Sequence, residues 1–274
     1  LKYLAAVGIA LASLSAAAHA QSRTVFDVME SRGDLLGWEA VGRLDMPHGF
    51  CTGALVGRDL VLTAAHCVFD PDTGQPYAAS GMTFRAGYHH GGAITERPVA
   101  RWAVPDRYAA GMAEAGSMTS GEAVATDVAL LRLAQPVSSA EADPFRVHET
   151  PSPGTRVSVV SYGRGREEVL SREPDCEVTQ RYRHDVLGFD CDVTFGSSGA
   201  PVFVRENDRL RILSVISSGN ARGEAYGPSL PALVSELRQR LNREDARPKV
   251  TTGARRITVG GSTREGIGAR FVRP

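Results

Sequence analysis

The chain has 274 residues, with 31 Lys+Arg against 31 Asp+Glu; 42% of residues are hydrophobic and 23% charged. This ordinary globular composition excludes a disordered or collagen-like chain, and the zero net charge supplies no global field to recruit nucleic acid or an anionic membrane. The length allows one large domain or two modest ones, and 29 Gly with 15 Pro lean towards short strands joined by turns.

Residues 1–20 come first. Lys2 gives a short positive start, Tyr3 to Leu14 is an apolar run broken only by Gly and Ser, and Ala18-His19-Ala20 is a small-x-small cleavage site. The segment reads as a secretory signal peptide removed before Gln21. It falls short of the ~20 apolar residues that span a bilayer, and no later run is long enough either. The protein is therefore expected to be secreted or periplasmic, where its four cysteines can persist as disulfides. Residues 21–36 read as an N-terminal segment or a short propeptide.

Apolar, β-branched runs bounded by turn residues then recur at Ala54–Val56, Leu60–Thr63, Val99–Val104, Val128–Leu133, Val157–Tyr162, Pro201–Val204 and Leu210–Ser217. Their spacing predicts an all-β protein of short antiparallel strands. Asp70-Pro71-Asp72-Thr73-Gly74 reads as a turn, since two carboxylates are too few for calcium. Ala109–Ala125 reads as an exposed loop, and 136–153, with four prolines, as a crossover between two halves. In Leu230–Leu241 the four-residue repeat of Leu233, Leu237 and Leu241 predicts a helix, with Pro231 in its first turn. Residues 243–274 hold eight basic and three acidic residues with little periodicity, and read as a basic C-terminal extension.

Three segments carry chemistry: T-A-A-H-C at 63–67, T-D-V-A-L-L-R-L at 126–133 and F-G-S-S-G-A-P-V-F at 195–203. They supply a His, an Asp and a Ser, which is the set that nucleophilic acyl transfer requires. A Ser hydroxyl needs a positioned base to take its proton, and His serves near neutral pH. A buried carboxylate fixes the His tautomer and stabilises the imidazolium. The remaining histidines, His19, His48, His89, His90, His148 and His184, lack such a context and read as structural or surface residues. No paired ligand spacing points to zinc, and no metal or cofactor is expected.

Together the three segments resemble the chymotrypsin-fold (trypsin-like) serine peptidases, whose chain order is also His, Asp, Ser. C-T-G-A-L at 51–55, V-L-T-A-A-H-C at 61–67 and the C-D pair at 191–192 before G-S-S-G look closest to secreted bacterial members of the V8/glutamyl-endopeptidase branch. The resemblance covers residues 37–242 and implies two six-stranded β-barrels with a C-terminal helix. Barrel one would run about 37–135, barrel two about 154–230, and the helix 230–242.

The resemblance also implies the roles. His66 would be the general base, Asp127 its orienting acid and Ser198 the nucleophile, with Ser197 a rival by adjacency alone. Backbone N–H groups of Gly196 and Ser198 would form the oxyanion hole. Ser217, Ser218 and Gly219 look like the strand that pairs with the substrate backbone. Cys51 and Cys67 match the family's histidine-loop disulfide, which leaves Cys176 and Cys191 as the second pair.

Two departures matter. Ser197 stands where trypsin relatives carry the Asp that receives a freshly cut N-terminus, so that activation step is not expected. Specificity stays open. Asp192, with Val193, lies near the trypsin position for binding Arg or Lys, so a basic preference is slightly favoured over a small, apolar or acidic one. Glutamate preference goes with a His on the substrate-pairing strand, and Ile216-Ser217-Ser218-Gly219 holds none. The expected function is a monomeric serine endopeptidase acting on proteins or peptides. The alternatives are a V8-type glutamate-specific enzyme and a non-catalytic binding protein on the same fold.

Overall fold

The computed structural model describes residues 26–114, 118, 120–148, 152–220 and 223–246. The signal-peptide segment and all but the start of the basic extension lie outside the described residues. After a short strand β1 (Asp27–Val28), six strands build the first half: β2 (Val41–Met46), β3 (Gly49–Gly57), β4 (Leu60–Thr63), β5 (Thr83–Ala86), β6 (Thr95–Ala103) and β7 (Ala129–Leu133). They close into an antiparallel barrel in the order β2-β3-β4-β7-β6-β5. Alternation along each strand divides the apolar residues between two faces. On β7, Ala129, Leu131 and Leu133 fill the barrel, while Leu130 turns outward to meet the second half.

Between β6 and β7 the expected loop is instead two short helices, α1 (Asp106–Ala113) and α2 (Ser120–Thr126). The Ala-rich segment has good helix propensity without a clear period. Tyr108, buried against Phe69 with ring centroids 5.8 Å apart, anchors the first helix. The 70–74 turn is as expected: Asp70 Oδ1 accepts the N–H groups of Asp72 at 2.9 Å and Thr73 at 3.0 Å.

The second half contains β8 (Arg146–Val147), β9 (Arg156–Ser161), β10 (Ser171–Arg181), β11 (Val186–Phe189), β12 (Pro201–Glu206), β13 (Arg209–Val215), β14 (Ser218–Gly219) and β15 (Ala225–Pro228). These form one sheet in the order β14-β15-β11-β10-β9-β12-β13-β8, with β1 added on β10. The sheet curls until its two ends meet at β13 and β15. That seam is held by Ser217 N–H to Tyr226 O at 2.9 Å and Ser214 Oγ–H to Pro228 O at 2.7 Å. Gly227 permits the approach, since a Cβ there would stand 2.1 Å from Val215 O. Six strands thus wrap a core of residues such as Val157, Phe189, Val202 and Leu213.

A third apolar layer joins the halves: Leu62 and Leu130 from the first, Tyr162 and Phe203 from the second. Met29 and Leu35 of the N-terminal segment are buried in it. The terminal helix α3 (Pro231–Ala246) packs there too. Its buried face is Val234, Leu237 and Leu241, with Leu230 just before it, whereas Leu233 is only half-buried. A strict four-residue repeat drifts around a 3.6-residue helix, so a spacing alternating between four and three stays on one face.

Candidate active site

Barrel one supplies two of the three chemistry-bearing residues. Strand β4, buried along its whole length, ends in a tight turn over Ala65–Val68 that carries His66. The Cys51–Cys67 disulfide ties this turn to β3. Asp127 stands between α2 and β7 and is 3% exposed. Its Oδ1 accepts the His66 backbone N–H at 2.8 Å, and its Oδ2 faces His66 Nδ1 at 2.7 Å. Ser217 donates its hydroxyl to the same Oδ2 at 2.6 Å. An acceptor at Nδ1 places the ring proton there and leaves the lone pair on Nε2. Burial disfavours the imidazolium, but the Asp127 charge and hydrogen bond outweigh it and hold the His66 pKa above its ordinary 6.5.

Barrel two supplies the loop 194–200. Ser197 N–H donates to Thr194 O at 2.9 Å and Ala200 N–H to Ser197 O at 3.0 Å. Gly196 and Gly199 adopt φ of 89° and 73°, the left-handed region that glycine enters without strain. Neither has room for a side chain: a Cβ would lie 2.3 Å from Tyr162 O at Gly196 and 2.0 Å from Thr63 Oγ1 at Gly199. Thr52 of β3 stitches this loop to barrel one. It donates its N–H to Ser198 O and its hydroxyl to Gly196 O, both at 2.9 Å. Ser198 is half-buried and lines a cleft, whereas Ser197 is buried, its hydroxyl 3.1 Å from that of Ser161. The N–H groups of Gly196 and Ser198 donate to no protein acceptor among the described residues.

The cleft has a volume of about 490 Å³. Asp192, Val193, Ser217, Ser218 and Gly219 all line it, as does Ser198. Strand β14 is exposed and forms an end of the sheet, so one edge lacks a strand partner. The Ser217 hydroxyl is engaged by Asp127. The Cys176–Cys191 disulfide braces the wall before Asp192.

Sequence reasoning missed three residues here. Thr52 sat unremarked between Cys51 and Gly53. Glu173 is buried and accepts the Asp192 N–H at 2.7 Å. Burial pushes its pKa from 4.5 up to about 7, opposed by that N–H and reinforced by the charges of Asp192 and Asp190. Glu224 also lines the cleft. It accepts hydroxyls from Tyr226 at 2.7 Å, Thr179 at 2.8 Å and Tyr182 at 2.9 Å. These bonds, led by Tyr226, lower its pKa and keep it ionised. The signal was available, because Glu224 and Tyr226 flank the buried Ala225 that opens β15.

Fold and site define a class: a serine endopeptidase of chymotrypsin-like architecture. The trypsin-like peptidase domain family matches residues 51–210, more than half of the chain, and the chain belongs to that family. Among solved structures it resembles a Glu endopeptidase determined with MPD, at 19% identity and TM-score 0.61, covering 77% of this chain and 92% of that one. It also resembles the protease Anisep from Arthrobacter nicotinovorans, at 19% identity and TM-score 0.58, covering 73% and 93%. A third likeness is to the thermostable serine protease AL20 from an extremophilic microorganism, at 18% identity and TM-score 0.58, covering 76% and 98%. No curated protein matches the sequence.

Proposed function

We propose that the chain is an exported endopeptidase that cleaves polypeptides through an acyl-enzyme on Ser198. The observation that carries this reading is the His66–Asp127 pair at 2.7 Å, tied through the Ser217–Asp127 hydrogen bond to the cleft that Ser198 lines. Ser198 Oγ attacks the scissile carbonyl carbon while His66 Nε2 takes the hydroxyl proton. Asp127 keeps the other proton on Nδ1 and stabilises the imidazolium. The N–H groups of Gly196 and Ser198 receive the oxyanion, a contribution of about 3–4 kcal/mol per donor. His66 then gives its proton to the departing amine, the C–N bond breaks and an ester remains on Ser198. Water attacks the ester and yields its proton to His66. Collapse releases the carboxylic acid and restores the Ser198 hydroxyl.

The substrate lies extended against the exposed edge of β14, as an added strand would. The side chain before the scissile bond enters the cleft. Two carboxylates, Asp192 and Glu224, line it, and no Lys, Arg or His stands among its described lining residues. Charge complementarity therefore favours Arg or Lys there and disfavours Glu. A hollow of about 750 Å³ that shares Ser218 and is walled by Val124, Tyr182 and Tyr226 takes residues further upstream. Export follows from residues 1–20, and the two disulfides suit an oxidising compartment. The mature chain acts as a monomer and keeps residues 26–36, because Met29 and Leu35 are part of the core.

The test is cleavage-site mapping with the wild type and Ser198→Ala on a complex protein mixture. New ends after Arg and Lys, absent with Ser198→Ala, are expected. Wild-type turnover by Ser198→Ala would sink the mechanism; cleavage after Glu or apolar residues would sink the specificity alone. Asp192→Asn and Glu224→Gln then separate the two carboxylates. Whichever faces the cation loses about 10- to 100-fold in kcat/KM.

A further inference from the structure

A second group of chemistry-bearing side chains lies outside the cleft. Glu30 follows β1, and His89 and His90 occupy the turn between β5 and β6. One ligand atom from each of these three residues lies within 4.8 Å of the other two. Glu30 Oε2 stands 3.8 Å from His90 Nε2. That is too long for a hydrogen bond. It is close to the ~3.3 Å between neighbouring corners of a tetrahedron with ~2.05 Å zinc bonds. Elsewhere the same kind of grouping is spent: the cysteines beside His66 and beside Glu173 are joined as disulfides.

The surroundings hold this geometry in place. His89 Nε2 lies 3.0 Å from the Glu30 carbonyl oxygen. An imidazole that donates one N–H to a carbonyl keeps its other nitrogen as a lone pair, which is how metal-bound histidines are commonly oriented. His89 pairs with Gly92 and with Val169, and His90 N–H donates to Glu168 O at 2.8 Å. His90 is thereby held at φ 44°, a left-handed conformation that among non-glycine residues Asn, Asp and His adopt most readily. The two rings meet edge to face, centroids 4.5 Å apart. Glu30 and His90 are exposed and His89 half-buried, so an ion has access.

We propose that Glu30, His89 and His90 form a binding site for one divalent transition-metal ion of the zinc type, with water completing its shell. Two imidazoles and one carboxylate suit such an ion; calcium and magnesium require a larger set of oxygens. The ion joins the N-terminal segment to a barrel-one turn, and the His89–Val169 bridge extends the tie to the approach of β10. Its role is structural, and it stabilises the folded chain by binding it and not the unfolded one.

The test is calorimetric titration of Zn²⁺ into the full chain after EDTA treatment and dialysis, in a Ser198→Ala background that prevents self-digestion. Thermal unfolding is measured in parallel. One ion per chain is expected, with the midpoint raised by about 5 °C at a hundredfold excess over Kd. Glu30→Gln and His90→Asn should each weaken binding at least about tenfold. Asn tolerates the left-handed backbone at position 90, so that variant keeps the turn. The readout is the metal-induced shift of each variant against its own metal-free midpoint. Three results overturn the proposal: no binding by the parent chain, undiminished binding by both variants, or equal binding of Ca²⁺.

Discussion

Ser217 donates its hydroxyl to Asp127 Oδ2 at 2.6 Å, the same oxygen that faces His66 Nδ1 at 2.7 Å. Ser217 follows β13 of the second half, whereas Asp127 precedes β7 of the first. The bond therefore makes the orientation of the acid depend on how the two halves dock. With Oδ1 taken by the His66 N–H, both carboxylate oxygens have fixed partners. Ser217→Ala removes a charge-assisted bond worth about 1.5–3 kcal/mol. We expect kcat to fall about 10- to 100-fold with KM little changed, read by steady-state kinetics. An unchanged kcat would show that the bond orients nothing.

The pH dependence follows from His66. Its pKa is raised above 6.5 because the Asp127 charge and hydrogen bond outweigh burial. Activity needs the neutral ring, so kcat/KM should rise with pH with a midpoint above 6.5. Asp127→Asn removes the groups that raise the pKa and should move the midpoint down, besides lowering kcat by about 10⁴. The same shift bears on stability. A folded pKa above the unfolded value adds stability that is complete below 6.5 and is lost as pH rises through the folded pKa. A midpoint that stays put in Asp127→Asn would remove Asp127 as the cause.

Glu173 makes a stability claim of the same sign over a lower pH range. In the fold its carboxyl holds a proton up to about pH 7, against 4.5 for the free group. Between those values the folded state binds more protons than the unfolded one, so this group's contribution falls as pH rises from 4.5 through about 7. Glu173→Gln keeps the shape without the charge. Relative to wild type it should gain more stability at pH 8 than at pH 5, measured by urea unfolding. Equal differences at the two pH values would mean that Glu173 is ionised throughout.

The Cys51–Cys67 disulfide spans a sequence separation of 16 and leaves His66 beside a tethered residue. Closing such a loop removes unfolded-state entropy worth about 3 kcal/mol in the chain-entropy model. Cys51→Ala/Cys67→Ala should lose about that much in denaturant unfolding and, because the His66 turn is freed, some kcat as well. Full stability in the double variant would show that packing alone holds the turn.

The all-β class, the positions of most strands and the three chemistry-bearing segments were legible because each is local. A strand announces itself by β-branched runs between turn residues. The Gly-x-Ser-Gly frame announces a tight loop, and here it separates the half-buried Ser198 from the buried Ser197. The 109–125 segment misled because Ala and Gly give no amphipathic period, and its helices are fixed by Tyr108 packing on Phe69. On α3 the Leu repeat predicted the helix but not its buried face, which uses Val234 in place of Leu233.

What remained hidden were relations between distant residues. Thr52 bonding the 194–200 loop, Ser217 bonding Asp127, Glu173 under Asp192 and Glu224 in the cleft wall all join elements far apart in the chain. Glu30 meets His89 and His90 for the same reason, although both histidines looked like ordinary surface residues in isolation. By itself the sequence determined which residue types were present and what each short segment would fold into, since propensity and turn chemistry act over a few residues. Only the tertiary fold, barrel closure within each half and docking between them, decided which side chains share a charge, a proton or a ligand. Hydrogen bonds and Coulomb forces at 3–4 Å depend on separation in space, and barrel closure brings together residues that the chain keeps far apart.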